Sequence, residues 1–80
     1  MGKYEFIINL IDYDLFTDSN QRQVLKKNRL TQQQTEYRLP AKDFIELLDE
    51  LNRYHRSRNQ QTFWKMIEKK YLNLGNQIIR

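Results

Sequence analysis

Cysteine is absent from this chain of 80 residues, and histidine, proline and tryptophan occur once each. Without cysteine there are no disulfides and no thiolate metal sites, and one histidine cannot build a His-rich zinc site within one chain. With two glycines there is no Gly-rich phosphate loop. No apolar run approaches the ~20 residues that span a bilayer. The longest, Phe6 to Ile11, is broken by Asn9 and flanked by Glu5 and Asp12. That run lacks the basic flank and small-residue cleavage site of a signal peptide, and Phe6 stands where a myristoylation signal needs Ser or Thr. The expected setting is the cytoplasm or nucleus, with no membrane partner. The missing cysteines are compatible with a reducing compartment.

What is present suits folding. Hydrophobic residues make up 39% and charged residues 30%, and five Tyr and four Phe join the single Trp, so the composition is not that of a disordered segment. The chain is one small domain, residues 1–80, with a thin stability margin at this size. Tight helix packing or homo-oligomerisation would supply what disulfides and metals cannot. The net charge of +4 favours an acidic partner. It is spread unevenly: the first twenty residues are acidic, whereas 21–40 and 61–80 are basic.

The hydrophobic pattern favours an all-α fold, a small bundle of three to four helices built on an antiparallel helical hairpin. Residues 41–55 show the clearest period, with Phe44, Leu47, Leu48 and Leu51 on one face and Ile45 widening it. Acidic residues lead this segment and Arg53 and His55 end it, which suits the helix dipole. Pro40 suits a first turn. Ser57 and Gln60 have capping-box spacing for a second helix over 58–74, with Phe63, Ile67 and Tyr71 on its apolar face and Gly75 as its stop. Residues 4–16 fit a third helix: Tyr4, Ile7, Ile8, Ile11 and Leu15 share one face, and Phe6, Leu10 and Tyr13 form a second. Asp18, Ser19 and Asn20 read as caps for a polar helix to Leu30, and 31–38 as a connector. The alternative is α+β, with residues 4–11 as a strand paired with 35–39 or 76–80, because Tyr4, Phe6, Ile8 and Leu10 also alternate.

Catalytic patterns are weak. Asp12, Asp14 and Asp18 suggest a calcium loop, but Thr17 and Gln23 stand where its Gly and Glu belong. Glu46, Asp49 and Glu50 lie within one helical turn with no nucleophile beside them and read as a solvated face. His55 has no identifiable nucleophile or orienting partner. The expectation is a binding module, not an enzyme, without cofactor or metal.

The basic residues are the stronger lead. Lys26, Lys27 and Arg29 form one set, Arg53, Arg56 and Arg58 a second, and Lys65, Lys69 and Lys70 a third. Such sets attract phosphate through counterion release, and the neighbouring Tyr37, Tyr54 and Tyr71 could stack on bases. Asn59, Gln60 and Gln61 open the last helix with side chains able to read base edges. On any helical protein the same cations also serve solubility. The stretch Leu48–Arg58 resembles the first conserved helix of AT-rich interaction DNA-binding domains; the long loop and helices that follow in such domains have no counterpart here, and no family is taken from it. The expected function is nucleic-acid binding, DNA or RNA. The rival is a protein-interaction module (adaptor, assembly subunit or small inhibitor) docking through Phe6, Leu10 and Tyr13, with Trp64 as a further anchor.

Overall fold

A computed structural model describes residues 4–10, 12–54 and 56–79, and for Phe6 the backbone alone. It replaces the expected all-α bundle with an α+β fold: four strands come first, then two helices. The strands β1 (Glu5–Asn9), β2 (Tyr13–Asp18), β3 (Gln23–Asn28) and β4 (Gln34–Arg38) form one antiparallel meander in sequence order. The helices α1 (Ala41–Tyr54) and α2 (Gln60–Lys70) cover one face of that sheet. "Helical" therefore describes only the second half of the chain.

Three local features explain why a sheet forms where helices were expected. The first is a bulge in β1. Phe6 pairs with Phe16 but Ile8 pairs with Leu15, so one extra residue interrupts the period of two. Ile7 and Ile8 then both meet the core, and their adjacency imitates a helical stripe. The second is the chemistry of the β2–β3 turn. The Asp18 carboxylate accepts hydrogen bonds from the backbone N–H groups of Asn20 (3.0 Å) and Gln21 (3.3 Å). An Asx side chain that satisfies turn amides is the same signal as a helix cap. Asn28 repeats the device in the β3–β4 turn, accepting from Leu30 (2.9 Å) and Thr31 (3.0 Å). The third is that both turns place a non-glycine residue at positive φ, Arg22 at 53° and Gln32 at 63°. The usual Gly marker of a hairpin is thus missing from both.

Pairing puts Ile8, Leu15, Thr17, Val24, Lys26 and Tyr37 on the helix-covered face. Leu15 and Val24 are completely buried. The residues read as a connector carry the same alternation in β4, where Thr35 and Tyr37 point inward and Gln34, Glu36 and Arg38 outward. The α+β alternative was right in class but not in pairing. Within that segment β1 pairs with β2, and the C-terminal segment joins β4, with Tyr37 bridging Gln77 and Ile78 N–H donating to the Glu36 carbonyl at 2.8 Å.

The helices match their expected apolar faces in part, with Leu48 and Phe63 only half-buried. Phe44, Leu47, Leu51 and Tyr54 bury the inner side of α1, and Trp64 and Ile67 that of α2. Ile45 is exposed. The cap of α2 is Asn59, not Ser57: its side chain accepts from Thr62 N–H at 3.2 Å. The helix ends at Lys70, and a 3₁₀ turn over Leu74–Asn76 leads into the C-terminal segment.

One inward residue is a cation. Lys26 Nζ lies 3.2 Å from Glu68 Oε2 on α2, and 4.9 Å and 5.8 Å from the ring centroids of Tyr13 and Tyr37. Burial alone would lower its pKa; Tyr37, and the hydrogen bond and charge of Glu68, outweigh burial and raise it above the usual 10.5. The stabilisation tied to this raised pKa is complete below the unfolded lysine value and is lost as pH rises through the higher folded value. Lys26→Met should therefore remove part of the alkaline destabilisation: in urea melts, the stability difference between the two proteins shifts in favour of the variant above about pH 10.5.

Candidate nucleic-acid interface

The fold sorts the basic residues into engaged and free. Lys26 is committed to Glu68. The Arg29 guanidinium donates to Asp14 Oδ1 at 2.8 Å and to the Leu10 carbonyl, while its backbone N–H donates to the Asp12 carbonyl at 3.0 Å. It ties the β3–β4 turn to the β1–β2 loop. Lys27 lies on the opposite, uncovered face of the sheet, paired in register with Asp14 and Gln34. The set Lys26, Lys27 and Arg29 is therefore divided among three surroundings. Arg53 pairs within its own helix, with Asp49 at 3.0 Å and Glu50 at 3.5 Å.

Arg56, Arg58, Lys65 and Lys69 are exposed, and none forms an ion pair with another described residue. Their arrangement follows from helical geometry. Trp64, Ile67 and Tyr71 point into the core, so Thr62, Lys65 and Lys69 fall on the outer side of α2, with Arg58 just before its first turn. Arg56 lies in the connection between the helices, where its N–H donates to the Arg53 carbonyl at 3.0 Å. Lys70 is exposed beside this stripe, its Nζ 5.2 Å from the Tyr71 ring centroid, and a hydrogen bond and charge interaction with Tyr71 raise its pKa.

Gln60 and Gln61 are exposed in the first turn of α2, and that turn contains no acidic residue. The positive end of the helix dipole is thus not neutralised from within the helix. The Asn59 side chain is occupied as the cap. His55 and the Phe6 side chain lie outside the described residues.

Beside the stripe is a cavity of about 260 Å³, lined by Leu10, Asp12, Tyr13, Tyr54, Gln61, Trp64, Lys65 and Glu68. It forms where the β1–β2 loop meets the start of α2 and the end of α1. The rings of Tyr13 and Trp64 are 6.5 Å apart and inclined at 42°. Of the residues considered for a protein interface, Leu10 is buried in the core and Tyr13 is half-buried against Trp64. Nothing in the sequence alone marked this cavity, because its walls come from a strand hairpin that the helical reading did not contain.

No protein-family model, curated protein or solved structure matches the chain. Function must therefore be argued from its own side chains. Five of the acidic residues weighed for chemistry have structural partners, and Asp12 lines the cavity: Asp14 holds Arg29, Asp18 holds a turn, Asp49 and Glu50 hold Arg53, and Glu46 Oε2 lies 3.5 Å from the Tyr71 hydroxyl. Among the described residues, no group of three or more His, Cys, Asp or Glu could hold a metal ion. No helix among them is long and apolar enough to cross a membrane.

Proposed function

We propose that the protein is a non-catalytic, intracellular module that binds nucleic acid through the outer face of α2 and the connection preceding it. The observation that carries this reading is that Lys65 and Lys69 on the outer side of α2, Arg58 just before its first turn and Arg56 in the preceding connection are exposed and form no ion pair with another described residue, whereas Lys26, Arg29 and Arg53 are held by carboxylates. Such a row neutralises successive phosphates and releases their counterions. Gln60 and Gln61, at the uncapped-by-charge end of α2, are placed to contact sugars or base edges. Lys70 extends the row.

The test is fluorescence anisotropy with labelled single-stranded and duplex oligonucleotides, DNA and RNA, over a salt series. Four phosphate contacts predict that log K falls against log salt with a slope of roughly −3. Absence of binding at low salt would refute the reading and make the stripe a solubility feature.

A protein partner is the second reading. It is supported by the sheet face that the helices leave uncovered, where Phe16 and Leu25 are cross-strand neighbours and only half-buried. A second copy of the chain is one such partner.

A further inference from the structure

The cavity at the start of α2 shares Lys65 with the basic stripe. Gln61 and Lys65 line the cavity, and Lys65 stands one helical turn from Lys69. A phosphate held by Lys65 would therefore lie at the cavity's mouth. We propose that the cavity receives one unpaired nucleobase, so that the preferred ligand is a single strand. This rests on the nucleic-acid reading above and specifies its ligand.

The walls suit a flat, uncharged heterocycle. Leu10, Tyr54 and Trp64 supply buried apolar surface, and Tyr13 is half-buried beside them. At about 260 Å³ the cavity lies below the ~300–1,000 Å³ of sites for drug-sized ligands, and suits one base. Polar groups are confined to a few positions. The Gln61 amide can both donate and accept, Asp12 accepts, and Lys65 donates. That combination fits the mixed donor and acceptor edge of a base, and aromatic side chains supply stacking.

A cationic guest is the alternative that aromatic walls and two carboxylates would suggest. Three observations argue against it. Lys26 already sits over the Tyr13 ring at 4.9 Å. The same ammonium occupies Glu68 at 3.2 Å. Lys65 adds a further positive charge at the lining. A duplex is disfavoured too, because its bases would have to leave the stack to reach the cavity.

Trp64 is the only tryptophan in the chain and lines the cavity, so its emission reports occupancy. The full chain is titrated with a short single-stranded RNA or DNA, with its duplex, and with an abasic strand carrying the same phosphates. Anisotropy and Trp64 emission are followed together.

The single strand should bind and quench Trp64. The abasic strand should bind roughly five- to hundredfold more weakly, the worth of one stacked base, and leave the emission unchanged. Gln61→Ala, at an exposed position, should weaken the normal strand more than the abasic one. Equal affinity for normal and abasic strands without quenching would overturn the base site while leaving the phosphate reading standing. Failure of every strand to bind at low salt would overturn both.

Discussion

Reversing two charges on the outer face of α2, Lys65→Glu with Lys69→Glu, should lower affinity for a single-stranded oligonucleotide about a hundredfold at low salt. Both side chains are exposed and without an ion pair among the described residues, so the fold loses nothing it depends on. Each phosphate contact removed should also make the salt dependence shallower by about 0.7 unit on a single strand, roughly 1.5 for the pair. The double variant is therefore distinguished from mere unfolding by its slope as well as by an unchanged circular-dichroism spectrum. Lys27→Glu is the matched control. It changes the net charge in the same direction from the other side of the sheet. If charge alone attracts the ligand, Lys27→Glu will weaken binding as much per residue as the α2 reversals; if the stripe is the site, its effect will be small.

Ile67→Ala should severely damage the fold. Ile67 is fully buried, where α2 meets the core with Trp64 and Tyr71. Truncating a buried Ile to Ala costs about 2–5 kcal/mol through lost transfer energy and the cavity left behind. A domain of this size has roughly 4–12 kcal/mol in total. The midpoint of chemical denaturation should therefore fall by about a sixth or more. Because α2 carries both the stripe and one wall of the cavity, nucleic-acid binding should be lost along with it. A near-normal midpoint would mean that α2 is not anchored as its burial implies. Ile45→Ala, on the exposed side of α1, should leave stability almost unchanged.

The helical half of the molecule was legible in the sequence because its signals agree. In α1, the spacing of Phe44, Leu47 and Leu51, the preceding Pro40 and the terminal Arg53 all indicate one helix. The expected second helix ran past both ends of α2. Ser57 and Asn59 are both good cap types near the start, and only the fold shows that the Asn59 side chain takes the Thr62 amide. The sheet was hidden for local reasons. Asp18 and Asn28 use their side chains to close turns, Arg22 and Gln32 occupy left-handed conformations that glycine would have advertised, and the bulge after Phe6 destroys the period of two. In β3 and β4 the inward face includes Lys26 and Thr35, so the alternation never appears as apolar against polar.

The site divides along the same line. The stripe on α2 was visible as Lys65 and Lys69 one turn apart, since both lie on one helix. Lys26, Lys27 and Arg29 looked equivalent in a row, yet strand geometry sends Lys26 and Lys27 to opposite faces and turn geometry gives Arg29 a structural task. The cavity depends on Tyr13 meeting Trp64 across the sheet–helix interface, a contact between residues 51 positions apart that no local pattern encodes.

The most direct test of where the ligand sits is an amide NMR titration of the isotopically labelled chain with a short single-stranded oligonucleotide. The account predicts chemical-shift changes concentrated at residues 56–69 and in the β1–β2 loop around Leu10 and Tyr13, diminishing as salt is added. Changes confined to the uncovered sheet face around Phe16, Leu25 and Lys27 would contradict it, and would move the binding surface to the other side of the molecule.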